Sequence, residues 1–179
     1  CATPSLTSAE PCVSTNNATK TVYWGDLHVH TQYSLDAYAF GATATPADAY
    51  RYAKGEPLTL ANGRTSQIDR PLDFAAVTDH AATFDLLYLC TDPMNTDNDY
   101  CRTLREARDN RDGRTLFNDY LLPIVGAADP ARAAICNDKH FSCSNAMANQ
   151  WQRTQRAANE ANEPCAFTAL IGYEWTASP

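Results

Sequence analysis

Long apolar runs are missing from this chain. No window approaches the roughly 20 apolar residues of a membrane-spanning helix, and no basic start followed by an apolar stretch marks a signal peptide. Positive charge is scarce. Fourteen Lys and Arg stand against 21 Asp and Glu, a formal charge of −7. That balance argues against nucleic acid and anionic membrane surfaces as partners, and it suits a site that gathers cations. Neither a G-x-S-x-G elbow nor a P-loop glycine pattern occurs, so covalent serine hydrolysis and nucleoside-triphosphate binding find no support. There are no internal repeats. Histidine is rare, with four in 179 residues; His28, His30 and His80 lie in two short motifs.

What is present is enough for one domain. The length and the 44% hydrophobic content allow a sizeable core. Seven cysteines are many for a cytosolic chain. Short polar loops suggest the pairs Cys90–Cys101 and Cys136–Cys143, and Cys12–Cys165 follows by elimination. A zinc knuckle is the competing reading, but C-x-x-C spacing does not occur. Disulfides imply an oxidising compartment, periplasmic or extracellular. Cys1 followed by the polar "ATPSLTSAEP" reads as a lipoprotein start, with a lipid anchor on Cys1 and residues 2–20 as a tether. The alternative is a boundary that merely falls at a cysteine.

Three strands are expected. "TVYWGDLHVH" (21–30) alternates and is β-rich; "RPLDFAAVTDH" (70–80) and "CAFTALIGYEWT" (165–176) are apolar until their last residues. A helix is expected over 45–55, with Thr45 as N-cap, Pro46 at the first helical position and Gly55 after the last turn. A second is expected over 144–162 with Ser144 as N-cap. Residues 81–145 read as a polar, disulfide-stapled insertion with a helical piece around 102–109. Strand, helix, strand, insertion, helix, strand is the alternation of a parallel α/β architecture.

All three strands turn polar at their C-terminal ends, where parallel α/β folds place their sites. Asp26, His28 and His30 alternate along the first and are expected to share a face, with Leu27 and Val29 packed behind. Imidazoles at i and i+2 can hold one ion, and Asp26 is placed to orient a histidine. Each signal has a plainer reading: a hydrogen-bonded strand pair for the histidines, a strand cap for His80, a helix-start acid for Asp36, a buried partner of an arginine for Glu174. Their coincidence at three strand ends favours a metal. His140 reads as a surface residue. Tyr33, Tyr38, Phe40 and Trp175 are candidate pocket or core aromatics, and Arg51, Arg70 and Arg102 candidate phosphate binders or solvated charges.

"GDLHVHTQYSLDA", "LDFAAVTDH" and "GYEW" in that order resemble the PHP superfamily, named for polymerase and histidinol phosphatase, and within it an exported bacterial branch of large domain-of-unknown-function proteins. The resemblance covers residues 21–179. It implies the N-terminal part of a distorted (β/α)7 barrel that holds two or three divalent ions (Zn, Mn or Fe). His28 and His30 would serve one metal, Asp36 and His80 a further one, and Glu174 would bridge two. Asp26 and Asp79 would support the catalytic machinery. The family's later histidines and its late Asp-x-His have no counterpart here, so the chain is expected to be part of a longer protein whose C-terminal portion is its partner. The activity implied is hydrolysis of a small-molecule phosphoester by a metal-activated water. An amidohydrolase-type site is the rival, although Lys54, on the first helix, is badly placed for it. A non-catalytic exported metal-binding or surface-interaction protein is the third reading.

Overall fold

The computed structural model describes residues 21–91, 98–126 and 132–176. The tail or tether over 1–20, lipidation of Cys1 and the Cys12–Cys165 pair fall on or involve residues outside that range. The chain is a mixed α/β structure. Strand β1 (Gly25–Val29) is followed by the short helix α1 (Leu35–Ala39), helix α2 (Pro46–Ala53) and a hairpin of β2 (Leu58–Thr59) with β3 (Thr65–Ser66). Strand β4 (Phe74–Val77) then leads through a 3-10 turn into α3 (Phe84–Thr91). Helix α4 (Asp99–Asp109) precedes a run of α5 (Gly113–Thr115), a π-helical segment (Leu116–Leu121) and α6 (Leu122–Val125). The long α7 (Cys143–Ala161) and strand β5 (Thr168–Ile171) complete it.

The three expected strands form one parallel sheet in the order β1-β4-β5. Each new strand adds to the same side, so the sheet has no reversal and its polar C-terminal ends lie side by side. The described residues do not form the closed seven-stranded barrel that the resemblance implies. Helices α2 and α7 cover one face, where Tyr50, Ala53, Ala157 and Ala158 bury Ala75, Val77 and Phe167. Tyr50 ties the layers together, donating to Leu170 O (2.9 Å) and accepting from Val77 N (3.2 Å).

Local chemistry explains α2. The Thr45 hydroxyl accepts from Asp48 N, and the Asp48 carboxylate accepts from Thr45 N, a reciprocal cap. Pro46 opens the helix, and Gly55 at φ +91° lets the chain leave it. Gly25 is required for a different reason: a Cβ there would stand 2.3 Å from Phe74 Cδ2.

Three expectations change. Ser142, not Ser144, caps α7, its hydroxyl accepting from Asn145 N, because the helix begins at Cys143. The insertion is less polar than its composition suggests. Leu86, Leu87, Leu104, Leu116, Tyr120 and Ile135 pack with Leu35 and Tyr38 of α1 into a second core. Third, the register on β1 slips: Asp26 stands opposite Ala75 and Val29 opposite Val77, three residues' advance against two. Such a shift breaks strict alternation. Val29 reaches the core as expected, but Leu27 stays 57% exposed.

Cys90–Cys101 and Cys136–Cys143 are bonded, as the loop lengths suggested, and Cys165 is also in a disulfide. These bonds point to an oxidising, non-cytoplasmic location. Among the described residues no helix is long and apolar enough to cross a membrane.

Candidate metal centre

The C-terminal ends of the three strands bring the sequence motifs together. Val29 O accepts from Thr78 N, which locks β1 to β4 just before the polar residues begin. Beyond the strands, His80 and Glu174 form a parallel bridge, with Glu174 N donating to Asp79 O (3.1 Å). Backbone pairing therefore sets Glu174 beside His80, although 94 residues separate them in sequence (174 minus 80).

Three donor atoms converge. His28 Nε2 and His30 Nε2 are 3.0 Å apart, and Glu174 Oε2 lies 3.0 Å from the first and 2.8 Å from the second. A triangle this small cannot be closed by hydrogen bonds alone. Each ring nitrogen carries at most one proton and can aim it at one partner. One cation at the centre would satisfy all three lone pairs. Donors ~2.0–2.1 Å from a tetrahedral ion stand ~3.3–3.4 Å apart, only a few tenths of an ångström wider than the triangle. The mixed imidazole and carboxylate set fits Zn, Mn or Fe.

A second group, His30, Asp36 and His80, shares His30 with it. Asp36 Oδ2 meets His30 Nδ1 at 2.8 Å and lies 3.7 Å from His80 Nε2. The other oxygen of Glu174, Oε1, stands 3.8 Å from His80 Nδ1. Glu174 thus faces His28 and His30 with one oxygen and Nδ1 of His80 with the other, while Asp36 faces the opposite ring nitrogen of His80. Asp36 also meets Nδ1 of His30, and a carboxylate there favours the tautomer with its proton on Nδ1, which would leave Nε2 as a donor to a cation. Burial pushes the Asp36 carboxyl up, but hydrogen bonds from Ser34, the Ala37 N–H and His30 outweigh it and hold the group below its ordinary range.

Asp26 and Asp79 take different places. The Asp26 carboxylate accepts the backbone N–H of His28 (2.9 Å), so it braces the strand at the register shift. Asp79 is fully buried and accepts from both Thr31 N (2.5 Å) and the Thr31 hydroxyl (2.8 Å). Burial, opposed by those two bonds, pushes its carboxyl up to about 6. Asp79 therefore latches the turn after His30 to the end of β4.

Three hydroxyl residues at the centre escaped the sequence reading. Buried Ser34 lies 3.3 Å from His30 Nδ1 and accepts from His80 N (3.1 Å). Thr31 holds Asp79, and Thr176 Oγ1 sits 2.9 Å from His80 Nδ1. Ser and Thr in a turn are too common to single out. The only local hint is that "HTQYS" crowds two of them behind the second histidine.

The remaining candidates lie elsewhere. His140 is exposed and pairs with Asp138 in its own loop. Tyr38 is core, whereas Phe40 and Trp175 are exposed. Arg51 pairs with Asp48 and Glu56, and Arg102 with Asp99 and Glu106. Lys54 contacts Glu163 at 2.5 Å, on the C-cap of α2.

Over residues 17–179 the chain matches the family described as protein of unknown function (DUF3604), and it belongs to that family. No curated protein and no solved structure matches it.

Proposed function

We propose that this member of the family is a metal-dependent hydrolase of PHP type, acting on a phosphoester. The observation that carries the reading is the closed triangle of His28 Nε2, His30 Nε2 and Glu174 Oε2, with edges of 2.8–3.0 Å. His28, His30 and Glu174 would hold one divalent ion, and Asp36 and His80, grouped with His30, another. When bound, such ions supply Lewis-acid polarisation of a phosphoryl oxygen and an activated water at neutral pH. The chain's own residues do the positioning. Asp36 keeps the proton of His30 on Nδ1, Thr176 holds His80, and the Thr31–Asp79 latch fixes the turn between them. The amidohydrolase reading is weaker, because Lys54 is engaged with Glu163 and is not among the residues of the centre.

Elemental analysis of the purified chain tests the metal part. Zn, Mn or Fe near stoichiometry, lost in His28→Ala/His30→Ala, is the expected result. Wild-type protein with no metal above background, even after addition of these ions, would sink it. A phosphoester panel on the metal-loaded, longer protein tests the reaction. Metal without turnover there would leave a non-catalytic metal-binding protein.

A further inference from the structure

A cleft of about 1310 Å³ opens beside the candidate centre. Its walls come from α1, the loop after it, the β2–β3 hairpin and the π-helical segment of the insertion. Asp36, which holds Nδ1 of His30, is one of its lining residues. Three large apolar side chains from three separate segments are exposed in it: Phe40 at 94%, Phe117 at 53% and Leu60 at 40%. Apolar side chains gathered in a concave space next to convergent polar groups are the signature of a small-molecule site. Phe40 follows Asp36 by four residues, about one helical turn or ~6 Å along the axis. Asp36 and Phe40 both line the cleft, so a ligand with its polar end at the centre has these apolar side chains within its reach. The rim carries Arg108, which pairs with Asp109 and stacks over Tyr38, and the exposed Arg111.

We propose that this cleft holds the non-reacting part of the substrate and that the site takes phosphoesters of bulky alkyl or aryl alcohols in preference to small polar ones. The proposal rests on the phosphoesterase reading above and names the substrate class for it. Burial of each methylene in such a cleft raises affinity by up to about fourfold.

The test is calorimetric titration with n-alkyl phosphonates from ethyl to octyl, which bind without being hydrolysed. Metal-free and metal-loaded protein are both titrated, alongside Phe40→Asp/Phe117→Asp and the milder Phe40→Ala/Phe117→Ala. Both positions are exposed, and circular dichroism checks that each variant folds. Affinity should rise about two- to fourfold per methylene in wild type, with or without metal. The Asp variant should lose at least tenfold for octyl phosphonate and little for ethyl. Affinity independent of chain length, or equal in wild type and both variants, would overturn the proposal. The hydrolase reading fails separately: a normal chain-length series with no turnover of any alkyl or aryl phosphate by the loaded, longer protein removes the reaction and leaves the cleft as an apolar ligand site.

Discussion

His30 carries more of the centre than its neighbour. Its side chain is 15% exposed and its two nitrogens are engaged by Asp36 and Glu174, whereas His28 is 70% exposed and meets the group only through Nε2. We expect His30→Ala to abolish retention of metal and His28→Ala to weaken it, as read by competition with a chromogenic chelator. Asp36→Asn keeps the shape but changes what His30 Nδ1 meets. Loss of an orienting partner costs about 10–100-fold in metal affinity, and retention equal to wild type would remove Asp36 from the centre. Asp79 acts on stability. Asp79→Ala strands the buried Thr31 N–H and loses both bonds of the latch, at about 2–4 kcal/mol by denaturant unfolding. A cost below about 0.5 kcal/mol would show that the latch is unimportant.

At the scale of elements, α2 and the insertion are each held by a separate device. Thr45→Ala removes the hydroxyl half of the cap on α2 and should cost about 1 kcal/mol. Asp48 completes that cap. Burial tends to raise its carboxyl, but hydrogen bonds from Thr45 and the charge of Arg51 bring it below its ordinary value. A carboxyl depressed in the folded state stabilises above its unfolded value, about 3.9, and that contribution fades as pH falls through the folded value. Unfolding curves should therefore show wild type losing its advantage over Asp48→Asn between about pH 4 and pH 2; a constant advantage across that window contradicts the assignment. In the insertion, the Cys90–Cys101 bond joins α3 to α4 across 11 residues. Its removal as a Ser pair should cost about 2–3 kcal/mol. The loss should concentrate in α3 and α4 by hydrogen exchange, since both cysteines belong to the core they share with Leu86 and Leu104.

At the scale of the whole molecule, the sheet is covered on one side by α2 and α7, and its outer strands are exposed. Val22, Tyr23 and Trp24 lead into β1, which carries Leu27, and Leu170 and Ile171 lie on β5, with Tyr173 and Trp175 just beyond it. Parallel sheets are ordinarily covered on both faces, and apolar side chains beside unpaired edges invite association. The chain studied by itself should sediment as a concentration-dependent mixture of monomer and larger species. Leu27→Lys with Ile171→Lys should shift it towards monomer. Monomeric wild type at all concentrations would show that these surfaces are not adhesive.

The sequence by itself determined the elements and their polar ends. Alternation and β-rich composition mark the three strands, "TPAD" marks the start of α2, and short loops pick out the Cys90–Cys101 and Cys136–Cys143 pairs, because each of these signals is local. The candidates His28, His30, His80 and Glu174 were legible for the same reason, since they sit where strands turn polar; Asp36, on α1, was singled out only by the resemblance. Only the tertiary structure decided how they meet. The register of β1 shifts between Asp26 and Val29, where Leu27 is left exposed, and a shift of one residue depends on what β4 presents, which β1 alone does not encode. Ser34, Thr31 and Thr176 became part of the centre only when strands distant in sequence were laid side by side. The cleft is of the same kind, since Phe40, Leu60 and Phe117 converge through packing of the insertion against α1, a long-range contact that no local pattern of residues announces.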